Sequence, residues 1–251
     1  MKHIIYISFF FLVGLSQDTL AQTRLTYPSL DKSLLNVWLA CENNDIEVIT
    51  LSLEKTEKVW DNIKGKISRE KVEHFDMNLV SKDLDQLMKL MRNSYVKKDY
   101  EQLKSYAYHF LWEFRSIRQC SFLETYPLDL LFNAYDLYTE IHYTIHDEMF
   151  GLREWTDFED LVNDFICEYE AYDLIHDEEI MESFSGMDFT SHQNSKDKVA
   201  NCLHNLLMSF ESGYQRDFTL PCDELGHALL EMFDNYGKSI NTSPVMSKGE
   251  M

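Results

Sequence analysis

Apolar residues recur along this chain at three- and four-residue intervals, the spacing that lines one face of an α-helix. Leu30, Leu34, Val37, Trp38 and Cys41 form the first stripe, with Ser29 expected as its N-cap. Asn43-Asn44-Asp45 breaks it. Ile46, Ile49, Leu53, Val59, Trp60 and Ile63 form the second, ending near Gly65, and the polar stretch 66–76 reads as a loop. Leu84, Leu87, Met88 and Met91 make a third stripe. Tyr100, Leu103, Ala107, Phe110, Leu111, Phe114 and Ile117 make a fourth. Pro127 opens a fifth helix carrying Leu130, Leu131, Ala134, Leu137, Ile141, Ile145 and Met149, and Gly151 marks the turn after it. Trp155, Phe158, Val162, Phe165 and Tyr169 carry a sixth. The stretch 176–196 is rich in Glu, Asp, Ser and Gly and reads as a long acidic connector. Val199, Leu203, Leu206 and Phe210 carry a seventh helix. Pro221 is expected in the first turn of an eighth, with Leu225, Leu229, Met232 and Phe233 inward.

The pattern predicts an all-α protein of about eight helices. Four prolines and eight glycines fit long helices better than a turn-rich β fold. The stripes are wider than the narrow seam of a coiled coil, so globular packing is expected. Lys98-Asp99-Tyr100 aligns with Arg216-Asp217-Phe218, a register that pairs His109 with His227 and Leu111 with Leu229. This points to an internal duplication with two antiparallel four-helix units, 22–122 and 123–240, followed by a disordered tail, 241–251. The rival is an α-solenoid, but no repeat of about 34 residues is evident.

Residues 1–21 change the picture of where the protein works. Lys2 and His3 precede an apolar run from Ile4 to Gly14, and Thr19 and Ala21 are the small residues of a cleavage site. The run is short of the roughly 20 residues a membrane span needs. Cleavage after Ala21, a periplasmic or secreted location and no membrane insertion thereafter are expected. The net charge of −20 disfavours binding to nucleic acid, since like charge repels phosphate backbones. The five cysteines, Cys41, Cys120, Cys167, Cys202 and Cys222, include no C-x-x-C pair.

Chemistry-bearing arrangements are few. His142 and His146 are one helical turn apart, the spacing of two imidazole ligands for a transition metal. The sixth helix is expected to supply a third ligand, Asp157 or Glu159. The residues after His142 are Tyr143 and Thr144, so the general base of a zinc protease is missing. Glu224-Leu225-Gly226-His227 is an E-x-x-H, but a di-iron bundle needs a second copy and two further Glu-bearing helices. A soft-metal set of Cys202, His204, Cys222 and His227 is disfavoured, because Cys202 and Cys222 stand at levels about 10 Å apart along their helices. The same spacing disfavours a disulfide between them. No nucleophile elbow or phosphate loop occurs. The aromatic faces of the fourth and fifth helices suit either core or a groove for a partner, and Tyr108, Trp112, Tyr135 and Tyr138 are the residues expected to bind one.

The signal-like start, Val37-Trp38 with Asn43-Asn44-Asp45, Arg153-Glu154-Trp155 with Phe158-Glu159, and Leu220-Pro221-Cys222-Asp223-Glu224-Leu225 together resemble exported, uncharacterised all-helical proteins of Gram-negative bacteria. That resemblance implies location and fold class and no activity. The expectation is a non-enzymatic exported protein, without a cofactor, that binds a protein or peptide; the alternative is a periplasmic helical bundle that binds a transition metal.

Overall fold

A computed structural model describes residues 27–238 apart from 73, 121–125, 151–154, 177, 179, 181–183 and 185, and apart from the side chain of Cys120. The expected leader, the tail beyond 240, Gly151 and the Arg153-Glu154 pair lie outside the described residues. Among the described residues the protein is all-α. The eight helices described are α1 (Pro28–Glu42), α2 (Ile46–Ile67), α3 (Met77–Lys97), α4 (Tyr100–Cys120), α5 (Pro127–His146), α6 (Trp155–Asp173), α7 (Phe189–Ser209) and α8 (Gln215–Lys238). None of these helices is long and apolar enough to cross a membrane.

Consecutive helices pair as hairpins, α1 with α2, α3 with α4, α5 with α6 and α7 with α8. Cap chemistry sets the breaks. Asn44 takes a left-handed φ of 54°, and the Asp45 side chain accepts the Val48 N–H to start α2. Lys98 is left-handed at φ 60°, and Asp99 accepts the Gln102 N–H to start α4.

Helix α1 holds the centre. Leu30, Leu34, Leu35, Val37, Trp38, Leu39 and Cys41 are all buried, and Asp31, Lys32 and Ser33 with them, so it is enclosed on nearly every side. It packs against α2, α4 and α8, and α8 packs in turn against α5. The buried apolar residues form one continuous core across the junction expected between the two units. A buried ionic cluster also crosses it. Arg118 of α4 makes a two-pronged bond to Asp129 of α5 at 2.8 and 2.5 Å and stands 3.6 Å from Asp31 of α1.

Several expected boundaries move. Helix α1 begins at Pro28 with Tyr27 as N-cap, so Ser29 lies inside the first turn. Helix α2 runs two residues past Gly65 to Ile67. The expected connector 176–196 is partly helix. Asp188 accepts the Thr190 and Ser191 N–H groups and starts α7 eight residues early. The remainder places Ile180, Phe184 and Met187 in the core.

Helix α8 starts at Gln215, so Pro221 falls inside it instead of in its first turn. A proline there has no N–H for the carbonyl four residues back, that of Asp217. The Ser209 hydroxyl, at the end of α7, donates to that carbonyl at 2.8 Å. Tertiary structure thus replaces a bond that the sequence removes.

Candidate metal centre

The crossing of α5 and α8 is clamped at two levels. At the end of α5, where the last carbonyls lack helical donors, the Gln215 amide donates to the carbonyls of Ile145 at 2.6 Å and Asp147 at 3.1 Å. Three turns along α8, Gly226 lies flush against Tyr138. A Cβ on residue 226 would come within 2.0 Å of the Tyr138 hydroxyl oxygen, so only glycine permits this approach. Between the two clamps the helices bring together His142, His146 and Asp223. Their ligand atoms all lie within 4.8 Å of one another.

The distances within the triad separate two readings of it. The Asp223 Oδ1 atom stands 3.5 Å from His142 Nε2 and 3.7 Å from His146 Nε2. A charge-assisted hydrogen bond would be near 2.8 Å. Two donors bound to a tetrahedral ion at about 2.0–2.1 Å stand about 3.3 Å from each other. The observed spacings are nearer the second value.

Protonation favours the same reading. The Nδ1 atom of His146 is 2.9 Å from the His142 carbonyl, which can only accept, so Nδ1 carries the proton. In the neutral ring this leaves a lone pair on Nε2, aimed at the triad, in the way backbone carbonyls orient metal-binding histidines. The two imidazoles are stacked with centroids 4.2 Å apart. Burial, and then the neighbouring His146 ring, push the His142 pKa down, and Asp223 opposes them only in part. A depressed pKa keeps His142 neutral and able to bind a cation. Cys222, next to Asp223, does not join the set. Burial and the adjacent carboxylate push its thiol up to about 12, so it stays protonated.

Two members of the triad, His142 and Asp223, line a groove of about 790 Å³. Three of the four expected partner-binding residues line it: Tyr108, Tyr135 and Tyr138, with Trp38 behind them. Trp38 lies between Tyr108, Tyr135 and Phe233, each centroid within 6 Å. Asp136 accepts from both the Tyr108 hydroxyl and the Arg115 guanidinium, which fixes the tyrosine at the groove edge. Trp112 is elsewhere: it is 45% exposed and packs edge-on against His109 of its own helix.

The expected third ligands are corrected. Asp157 and Glu159 are exposed on α6, and the residue that meets the histidines is Asp223 of α8. Helix α5 shows α6 a different face, where Asn133 bonds Glu168, and turns its histidine face to α8. Helical spacing could not reveal which neighbour would face that pair. The E-x-x-H does not form a ligand pair here: His227 lines the groove, and Asp223, not Glu224, joins the triad. Cys41, Cys167, Cys202 and Cys222 are free thiols, so Cys202 and Cys222 form no disulfide.

No protein-family model, curated protein or solved structure matches the chain.

Proposed function

We propose that this protein binds one divalent transition metal ion through His142 Nε2, His146 Nε2 and Asp223. The observation that carries the reading is the convergence of three ligand atoms within 4.8 Å from two helices clamped on both sides of them. Two imidazoles and one carboxylate suit zinc, copper, nickel or iron, and three protein donors leave a tetrahedral ion one position for a ligand from the groove. With the leader-like residues 1–21, the reading is of a periplasmic or secreted metal-binding helical protein.

Calorimetric titration with Zn²⁺ tests it. One equivalent should bind, and His142→Ala or His146→Ala should abolish that stoichiometric event while circular dichroism stays helical. Asp223→Asn should weaken it at least tenfold. A folded protein that takes up no Zn²⁺, Cu²⁺ or Ni²⁺, or one whose uptake survives both histidine substitutions, would overturn the proposal.

A further inference from the structure

The groove beyond the triad has a chemistry of its own. Its walls carry Tyr108, Tyr135, Tyr138 and Tyr143, the last 71% exposed. Four carboxylates line it, Glu42, Asp136, Glu140 and Asp223, against one ammonium, Lys104. Lys104 is already paired with Glu42 at 2.9 Å, and Asp136 is held by Arg115 and Tyr108. Glu140 has no ion pair among the described residues and is exposed. With Glu42, Asp136 and Asp223 engaged, the Glu140 carboxylate beside the aromatic faces favours cations, which gain from its charge and from the ring quadrupoles alike.

The donor that would fill the metal's remaining position is constrained too. A primary amine is protonated at neutral pH, and freeing its lone pair costs about 1.4 kcal/mol for each unit its pKa exceeds the pH. A carboxylate would have to enter past Glu140, on a chain of net charge −20. An imidazole, with a pKa near 6.5, arrives neutral and ready to bind. The groove volume lies within the range that holds a drug-sized ligand, which is also the scale of a few peptide residues.

From this combination we infer that the groove docks a short basic peptide segment. One histidine of that segment coordinates the metal held by His142, His146 and Asp223, and its Lys or Arg side chains lie against the tyrosine wall and Glu140. The inference rests on the metal reading above and assigns the partner class for that site. It unites the two expectations drawn from the sequence, a peptide partner and a metal pair, in one groove.

Titration of the full protein with a Lys-His-Lys-Lys amide peptide, with and without Zn²⁺, provides the test, read by calorimetry and by tryptophan fluorescence. Zn²⁺ should tighten binding at least tenfold. A Lys-Ala-Lys-Lys peptide should lose that gain, and a Glu-His-Glu-Glu peptide should bind at least tenfold more weakly than the basic one. Glu140→Gln should weaken the basic peptide severalfold. If the zinc-loaded protein binds the acidic histidine peptide or free imidazole as tightly, the peptide assignment fails and the metal site stands. If basic-peptide binding is indifferent to Zn²⁺, the bridging role fails. If no metal binds at all, both readings fall together.

Discussion

Asp31 sits in the core with one carboxylate oxygen accepting from the Tyr126 hydroxyl at 2.8 Å and the other without a hydrogen-bond partner among the described residues. Burial pushes its pKa above the ordinary 3.8, and this outweighs the attraction of Arg118. A carboxyl with a raised folded-state pKa favours the fold while protonated, and that contribution is lost as pH rises from the unfolded value through the folded one. The stability difference between the native protein and Asp31→Asn should therefore shift in the variant's favour as pH is raised from below 3.8 to neutrality. Urea denaturation at several pH values reads this directly, and a shift in the opposite sense would show that Arg118 dominates. Asp129 holds the other side of the same guanidinium through two hydrogen bonds. Asp129→Ala removes one partner of a buried pair and should cost about 3–5 kcal/mol, much more than Asp31→Asn. Equal costs for the two would contradict the division of roles.

Gly226 and Tyr138 decide how closely α5 and α8 approach, and so whether the triad can close. Gly226→Ala puts a methyl group into the Tyr138 side chain. We expect a loss of about 1–3 kcal/mol of stability from overpacking, with weaker metal binding. Adding Tyr138→Val should restore much of both, giving a coupling a double-mutant cycle can measure. Additive losses would mean the two residues do not set the crossing. Gln215→Ala should loosen the end of α5 and weaken metal uptake without abolishing it.

The helix stripes, the Asn43–Asp45 break and the opening of α5 by Pro127 were all legible in the sequence. So was the histidine pair, because a four-residue spacing fixes a shared helix face. Asp223 was not legible, since a ligand from another helix depends on the tertiary crossing. Gly226 was the available signal: a glycine inside a strongly periodic helix implies a close neighbour. The early start of α7 was hidden because Asp188 and the polar residues after it resemble a loop until the cap is seen. The start of α8 was hidden because Pro221 forbids a local hydrogen bond that Ser209 supplies from outside the helix.

At the scale of the molecule, α1 and α8, the first and last of the described helices, share one core, and the site lies where α8 meets α5. Binding there should stabilise the whole fold. Zn²⁺ at a hundredfold excess over Kd adds about 2.7 kcal/mol, which for a chain of this size raises Tm by roughly 5–10 °C. The rise should disappear in His146→Ala, and a rise that persists there would place the ion elsewhere. The central claim is the donor set, and X-ray absorption at the zinc edge of the stoichiometric complex tests it most directly. The account predicts a shell of nitrogen and oxygen neighbours at about 2.0–2.1 Å with outer-shell scattering from two imidazoles. Sulfur at about 2.3 Å, or an oxygen-only shell without imidazole scattering, would contradict it.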